Sequence, residues 1–123
     1  MTRNEALAMD IYHWCKEHWL WSDTTMYFDG KALSSNGWEW DGKMPVRQIE
    51  EDLYEYADKN PLKYFEYANP ETFSMSFEGP LYEVLNAYVP GWVKLEDEFD
   101  KIFEKHGYYY ELGHAWNLAA CEL

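Results

Sequence analysis

The segment TTMYFDGKALSS, residues 24–35, predicts a β-hairpin and with it an antiparallel sheet. Two β-prone runs, 24–28 and 31–35, flank the pair Asp29-Gly30. Asp-Gly favours a two-residue hairpin turn, because both central residues of a type I′ turn need a positive φ. We therefore expect the chain to reverse at this pair and to form two neighbouring strands.

Helical and strand-like patterns continue on both sides of the hairpin. Thr2 and Glu5 have the spacing of a capping box, and apolar residues follow at helical intervals to about Trp19. Residues 38–40 are predicted to complete a meander with the hairpin, and Pro45 to begin a linker. Helices are also predicted over 48–58, 81–88 and 95–106, and Gly107 is suited to end the last of them. Strands are predicted over 108–112 and over 72–77, where Phe73, Met75 and Phe77 alternate with two serines in a half-buried pattern. A strand or helix is predicted over 63–67, and a strand or short helix over 115–121.

Together these elements predict one α+β domain over residues 1–123, a small antiparallel sheet packed by three or four helices. A hydrophobic fraction of 47%, with 20% aromatic residues, is ample for a core. The start has no signal-peptide pattern, and no apolar run approaches the ~20 residues of a membrane helix. We expect a cytoplasmic protein of a bacterial host, with Cys15 and Cys121 as reduced thiols.

The charge of the chain is its main functional clue. Lys and Arg number 10 and Asp and Glu number 23, so the formal net charge is -13. Because self-repulsion of this size destabilises a compact state, we interpret the charge as a feature used in binding. No Lys or Arg occurs from residue 64 to residue 93. Direct binding to nucleic acid or to an anionic membrane is not expected, because both need clustered cations.

Two acidic clusters fall on predicted helices. Asp97, Asp100 and Glu104 form a stripe at i, i+3 and i+7, in which neighbours lie roughly 5–6 Å apart. That spacing is close to the separation of successive phosphates along DNA. The alternative is that both clusters are ordinary solvated helix faces. The other cluster, on the helix predicted over 48–58, comprises Glu50, Glu51, Asp52, Glu55 and Asp58.

Tyrosines form a second candidate binding feature. Tyr54 alternates with acids in the cluster on the helix predicted over 48–58, and residues 108–110 are three tyrosines in a row. Successive side chains of a strand point to opposite faces, so these three cannot all face inward, and Tyr109 is a candidate contact. Tyrosine and tryptophan are common hot spots of protein interfaces.

In size, acidity and aromatic content the chain resembles two groups of small proteins. One comprises phage and mobile-element inhibitors, the anti-CRISPR and anti-restriction proteins, several of which imitate DNA; the other comprises bacterial immunity proteins that cap nuclease toxins. The resemblance is one of composition, so no functional residue is carried over. We expect a non-enzymatic inhibitor of a basic nucleic-acid-binding protein, and the predicted contacts are Glu50, Glu51, Asp52, Glu55, Asp97, Asp100, Glu104, Tyr54 and Tyr109.

Three other hypotheses carry less weight. His13, Cys15 and His18 match no standard zinc spacing, and Cys15 is expected to pack as a small buried hydrophobe, so no metal or cofactor is predicted. A Cys/His nucleophile pair using His114 has no catalytic signature around either cysteine. A homo-oligomer could use the aromatic surface as its own interface.

The alternative from a different functional class is a carbohydrate-binding or carbohydrate-active domain. Trp38, Glu39 and Trp40 lie together on a predicted strand, and aromatic faces stack on sugar rings. The competing interpretation is that both tryptophans share one sheet face and pack against a helix.

Overall fold

The computed structural model describes residues 1–35, 38–40, 45–48, 52–55 and 60–123, with side-chain positions for 1–35 and 60–123. Within these residues the architecture is the predicted mixture of helices and antiparallel strands. The helices are α1 (Arg3–Glu17), α2 (Pro80–Leu85) and α3 (Trp92–Lys105). The strands are β1 (Thr24–Phe28), β2 (Lys31–Ser34), β3 (Trp38–Trp40), β4 (Pro45–Gln48), β5 (Asp52–Glu55), β6 (Phe73–Phe77), β7 (Tyr108–Leu112) and β8 (Asn117–Glu122).

Six of these strands form one sheet in the order β5-β2-β1-β6-β8-β7, with every neighbouring pair antiparallel. The predicted hairpin is confirmed, because β1 and β2 pair directly, with Phe28 opposite Lys31. Asp29 and Gly30 have φ values of 52° and 74°, both positive as a type I′ turn requires. The hairpin therefore supplies the two strands from which the sheet extends in both directions.

The helix predicted over residues 48–58 is wrong, because residues 52–55 form β5 at the edge of the sheet. Leu53 lies opposite Leu33 and Glu55 opposite Lys31 in the register of β5 with β2. Pairing with β5 satisfies backbone N–H and C=O groups of β2 that would otherwise lack hydrogen bonds. These hydrogen bonds stabilise the strand more than the short apolar pattern stabilises a helix. The charged residues Asp52 and Glu55 suit an edge strand, since edge charges discourage further pairing. Glu50, Glu51 and Asp58 lie outside the described residues.

The strand predicted at residues 38–40 is confirmed, but its predicted partner is wrong. β3 pairs with β4 in a separate two-stranded sheet, with Trp38 opposite Gln48 and Glu39 opposite Arg47. The linker predicted from Pro45 is accordingly wrong as well. Proline is tolerated as the first residue of a strand, where a missing backbone N–H costs little.

The helix ends follow their sequence signals. The Thr2 side chain accepts a hydrogen bond from the Glu5 backbone N–H at 3.0 Å, so the predicted N-cap of α1 is confirmed. Gly107 follows α3 with φ 86°, and its N–H donates to the Glu104 carbonyl at 3.0 Å. This is the left-handed residue that commonly ends a helix, as predicted.

The main core lies between the helices and one face of the six-stranded sheet. The predicted strand is confirmed as β6, and Phe73, Met75 and Phe77 are all fully buried in this core as its alternation predicts. The half-buried pattern is wrong, because Ser74 on the opposite face is fully buried as well. Helix α3 contributes Phe99 and Phe103, and the Phe103 ring packs 5.9 Å from that of Phe73. Among the described residues, no helix is both long and apolar enough to cross a membrane.

A smaller apolar cluster lies apart from the main core. It comprises Tyr27, Ala32 and Phe65, with Trp116 packed against it. Phe65 belongs to the segment over 63–67 that sequence left between strand and helix; the chain there follows a 3₁₀ helix, Pro61–Lys63, and turns. This segment covers part of the second face of the sheet.

Candidate functional site

The sheet has one face covered by helices and a second face that segment 60–71 covers in part. On this second face Tyr27, Ser74 and Ala119 are buried, whereas Tyr109 and Glu111 are exposed. Successive side chains of a strand alternate, so the neighbours of the buried core residues point away from the helices. We define the open face as the side opposite the helices. It is formed by Thr25, Tyr27, Ser74, Ser76, Tyr109, Glu111, Ala119 and Cys121 of the strands and by the segment 60–71 that lies over them.

Aromatic rings run across this open face in continuous contact. The rings of Tyr27 and Tyr64 stack with centroids 5.4 Å apart, and Phe65 meets Tyr27 edge-on at 5.8 Å. Phe65 in turn packs 5.9 Å from Trp116. Tyr27 and Phe65 are buried, whereas Tyr64 is 50% exposed. The exposed ring of Tyr64 therefore packs against the buried ring of Tyr27.

Tyr67 extends the series and has the most unusual geometry on the face. Its φ is 64°, and this left-handed conformation costs an L-residue about 1–2 kcal/mol. The ring is nevertheless 66% exposed, with the His114 ring 5.7 Å away and Trp116 stacked behind His114 at 5.6 Å. Gly113 approaches so closely that a Cβ there would lie 3.0 Å from the Tyr67 Cβ. Such strain at an exposed aromatic residue makes Tyr67 a candidate functional position. Trp19, with a φ of 61° and 90% exposure, has the same combination outside the open face.

A cleft of about 410 Å³ opens beside Tyr67. Its volume falls in the range of about 300–1,000 Å³ that is typical of ligand sites. We call it the tyrosine cleft. It is lined by Tyr67, Ala68, Asn69, Glu111, Leu112, Gly113, Ala119 and Cys121.

Tyr109 borders the tyrosine cleft through its neighbour on β8. Tyr109 lies opposite Cys121, and a hydrogen bond between the two side chains raises the pKa of the Tyr109 hydroxyl. Tyr109 is 42% exposed, whereas Tyr108 is buried and Tyr110 is half-buried. The prediction that the three tyrosines cannot all face inward is thus confirmed.

The described part of the open face is acidic. Its carboxylates include Glu66 and Glu111, both exposed, and no ion pair among the described residues involves either one. The segments 64–93 and 106–123, which build most of this face, contain no Lys or Arg. Lys63 is also exposed on segment 60–71, so the face combines exposed tyrosine rings with an excess of carboxylates.

The acidic stripe lies on α3, where its members have different surroundings. Asp97 is exposed and pairs with Lys101 at 2.9 Å, while Glu104 is exposed. Asp100 is half-buried and accepts a hydrogen bond from the Tyr110 hydroxyl at 2.5 Å. Since α3 also carries three lysines, the stripe is partly neutralised; these are Lys94, Lys101 and Lys105.

The acidic cluster predicted on a helix over 48–58 does not lie on a helix. Asp52, Tyr54 and Glu55 lie on β5, with Asp52 opposite Ser34 and Tyr54 opposite Ala32. Glu50 and Glu51 lie outside the described residues. The carbohydrate candidates Trp38, Glu39 and Trp40 form β3, and their side chains also lie outside the described part of the chain.

Neither metal nor nucleophile chemistry gains support from the described residues. Cys15 is fully buried in the core, and burial raises the pKa of its thiol to about 12. Among the side chains that the structure describes, no group of three His, Cys, Asp or Glu could hold a metal ion. Cys15 and Cys121 are both free, and Cys121 lines the tyrosine cleft.

Sequence reasoning missed most of the open face. Sequence does not single out Tyr64, Tyr67 and Trp116, because they lie in turns where no periodic pattern assigns a face. His114 is considered there only as a partner for a cysteine nucleophile. The one available signal was Tyr109, whose side chain must point away from those of Tyr108 and Tyr110.

No family model, curated protein or solved structure matches the chain.

Proposed function

We propose that this protein is a non-enzymatic inhibitor that binds a basic nucleic-acid-processing enzyme and blocks its nucleic-acid-binding surface. The target class comprises CRISPR effectors, restriction enzymes and nuclease toxins. The observation that carries the proposal is the open face, where exposed tyrosines lie together with carboxylates that form no ion pair with any described residue, in a chain with a net charge of -13.

This combination suits the surface of an enzyme that holds nucleic acid. Such surfaces present Lys and Arg to phosphates and aromatic side chains to bases. A carboxylate such as Glu111 takes the place of a phosphate, and an exposed ring such as that of Tyr67 takes the place of a base. Both kinds of contact are available on one face, within reach of one partner.

Charge and aromatic contacts contribute differently to such binding. The negative field steers a basic partner and raises the association rate, and this effect weakens with salt. Exposed tyrosines supply contact area at a low cost in side-chain entropy and commonly act as hot spots. The exposed stripe residues Asp97 and Glu104 on α3 add to the field from a different side of the molecule.

A pull-down from a bacterial lysate tests the proposal. It is carried out at about 0.1 M and at about 1 M salt, because the Debye length falls from about 10 Å to about 3 Å between these two concentrations. The bait is compared with an open-face variant, Tyr67→Ser with Glu111→Gln, and a stripe variant, Asp97→Asn with Glu104→Gln. The matched control, Tyr88→Ser with Glu83→Gln, removes an equally exposed tyrosine and acid outside the open face. The captured enzyme is then assayed for cleavage of nucleic acid.

We expect a basic nuclease or effector to be captured at low salt, and less of it to be captured at high salt. The unaltered protein and the control variant should both inhibit the captured enzyme. The open-face variant should lose capture and inhibition, while the stripe variant should lose mainly the salt-sensitive part. Inhibition that survives in the open-face variant, or a captured enzyme that still cleaves at full rate, would contradict the proposal.

A further inference from the structure

The tyrosine cleft has three kinds of wall. Tyr67 supplies an exposed aromatic ring, and Glu111 supplies a carboxylate. Ala68, which is half-buried, supplies apolar surface with a small part of Ala119, and the polar residue Asn69 also lines the cleft. An aromatic ring, a carboxylate and an apolar patch lining one cleft match the three parts of a single side chain, that of arginine.

The charge of the cleft is not balanced from within the described chain. Glu111 has no ion-pair partner among the residues that the structure describes. The lining residues include no Lys, Arg or His. An anionic ligand such as a phosphate group would meet Glu111 without any compensating cation, so the cleft favours a positively charged occupant.

We propose that the tyrosine cleft binds an arginine side chain of the basic partner; the existence of that partner rests on the proposed function. The guanidinium group stacks on the ring of Tyr67 and pairs with the carboxylate of Glu111. The methylene stem of the arginine packs against Ala68 and Ala119. Arginine fits better than lysine, because its planar group both stacks on an aromatic ring and pairs with a carboxylate through two N–H donors.

Tyr67 is held in place before any partner arrives. Its left-handed backbone, the close approach of Gly113 and the neighbouring His114 ring fix one wall of the cleft. A binding wall that is already ordered loses little entropy on association. This gives a physical role to a backbone conformation that is otherwise unfavourable for a bulky residue.

Titration with tetra-arginine and tetra-lysine peptides, followed by the amide NMR signals of the protein, tests the assignment. The two peptides carry equal charge, so the general attraction of the acidic surface is the same for both. We expect the signals of Tyr67, Glu111 and Cys121 to move, with tetra-arginine binding at least about five-fold more tightly than tetra-lysine. Signals that stay still, or equal affinity for the two peptides, would overturn the assignment.

Variants of the protein test which residues cause the preference for tetra-arginine over tetra-lysine. Glu111→Gln and Tyr67→Ser should each abolish the preference for arginine, whereas Tyr67→Phe keeps the ring and should retain it. Glu83→Gln and Tyr88→Ser are matched controls away from the cleft and should leave the preference unchanged. A preference that persists in Glu111→Gln refutes the assignment.

The peptide experiment and the pull-down can fail separately. Capture of an inhibited enzyme together with equal affinity for the two peptides would refute the arginine site and leave the proposed function standing. A confirmed arginine site without any inhibited enzyme would refute the proposed function alone.

Discussion

The hydroxyl of Tyr110 lies 2.5 Å from Oδ1 of Asp100, and this hydrogen bond joins strand β7 to helix α3. Burial, followed by the bond to Asp100, raises the pKa of Tyr110 above its ordinary value, so the hydroxyl stays protonated and can donate. Asp100 therefore stabilises the fold in addition to contributing charge to the acidic stripe. Its two neighbours in the stripe, Asp97 and Glu104, remain exposed.

Removing this hydrogen bond should destabilise the protein. We expect Tyr110→Phe to lower the free energy of unfolding by about 1.5 kcal/mol, because the lost bond goes to a charged and half-buried acceptor. Urea denaturation measures the change. Tyr88→Phe is the matched control, and its exposed hydroxyl should contribute less than about 0.5 kcal/mol. Equal effects of the two variants would contradict this role for Asp100.

Asp10 should make stability depend on acid pH. It accepts a hydrogen bond from Nε2 of His106 at 2.6 Å and lies 3.2 Å from Nζ of Lys105. The bond from His106, with a further contribution from Lys105, lowers the pKa of Asp10. A folded-state pKa below the unfolded value of about 3.9 stabilises the fold above that pH, and this stabilisation is lost as pH falls through the folded-state value.

We therefore expect Asp10→Asn to be less stable than the parent at about pH 7 and equally stable at about pH 2. The difference at the higher pH should stay below about 1 kcal/mol, because the Asp10 side chain is 37% exposed and solvent screens its interactions. Urea denaturation at both pH values measures it. Asp97→Asn, which removes an exposed ion pair, serves as control, and a constant deficit of Asp10→Asn at both pH values would contradict the argument.

The two thiols should differ sharply in reactivity. Burial excludes reagents from Cys15 and raises its thiol pKa to about 12, whereas Cys121 is half-buried at the tyrosine cleft. Because the thiolate is the reactive form, iodoacetamide at about pH 8 should label one thiol per folded chain and two in urea. Mass spectrometry counts the labels. Cys121→Ser should abolish labelling of the folded protein; persistent labelling would mean that Cys15 is accessible.

Phe103 should be a main support of the core. Its ring contacts Phe73, Phe99 and Tyr110 with centroids 5.9, 5.1 and 4.8 Å away. Truncating a large buried aromatic residue typically costs 3–5 kcal/mol, so Phe103→Ala should lower the unfolding free energy by about that much. Tyr88→Ala, at a site 70% exposed, should change stability by less than about 0.5 kcal/mol. Thermal or urea denaturation of the pair measures the contrast.

The carbohydrate alternative makes a separate prediction. If Trp38 and Trp40 formed a sugar platform, a glycan array would return a ligand whose binding is lost in Trp38→Ala. On the proposed inhibitor function we expect no glycan that depends on Trp38. A reproducible, Trp38-dependent glycan would favour the carbohydrate function.

The sequence by itself determined the elements whose signals are local. Asp29-Gly30 predicted the hairpin turn, the alternation over 73–77 predicted β6, and the Thr2 cap and Gly107 predicted the start of α1 and the end of α3. In each case the physical cause lies within a few residues: a positive φ, a period of two, or an unpaired N–H at a helix end. Such causes act before any long-range contact forms.

Only the tertiary structure decided which strands pair and which tyrosines reach the surface. Leu53 lies in a strand because β5 pairs with the edge of β2. The helical spacing of the apolar residues around Leu53 carries no information about that pairing. Tyr67 and Glu111 lie far apart in the chain, yet both line the tyrosine cleft. Contacts of this kind depend on how the sheet and its covering segment pack, and for that reason a one-dimensional pattern does not contain them.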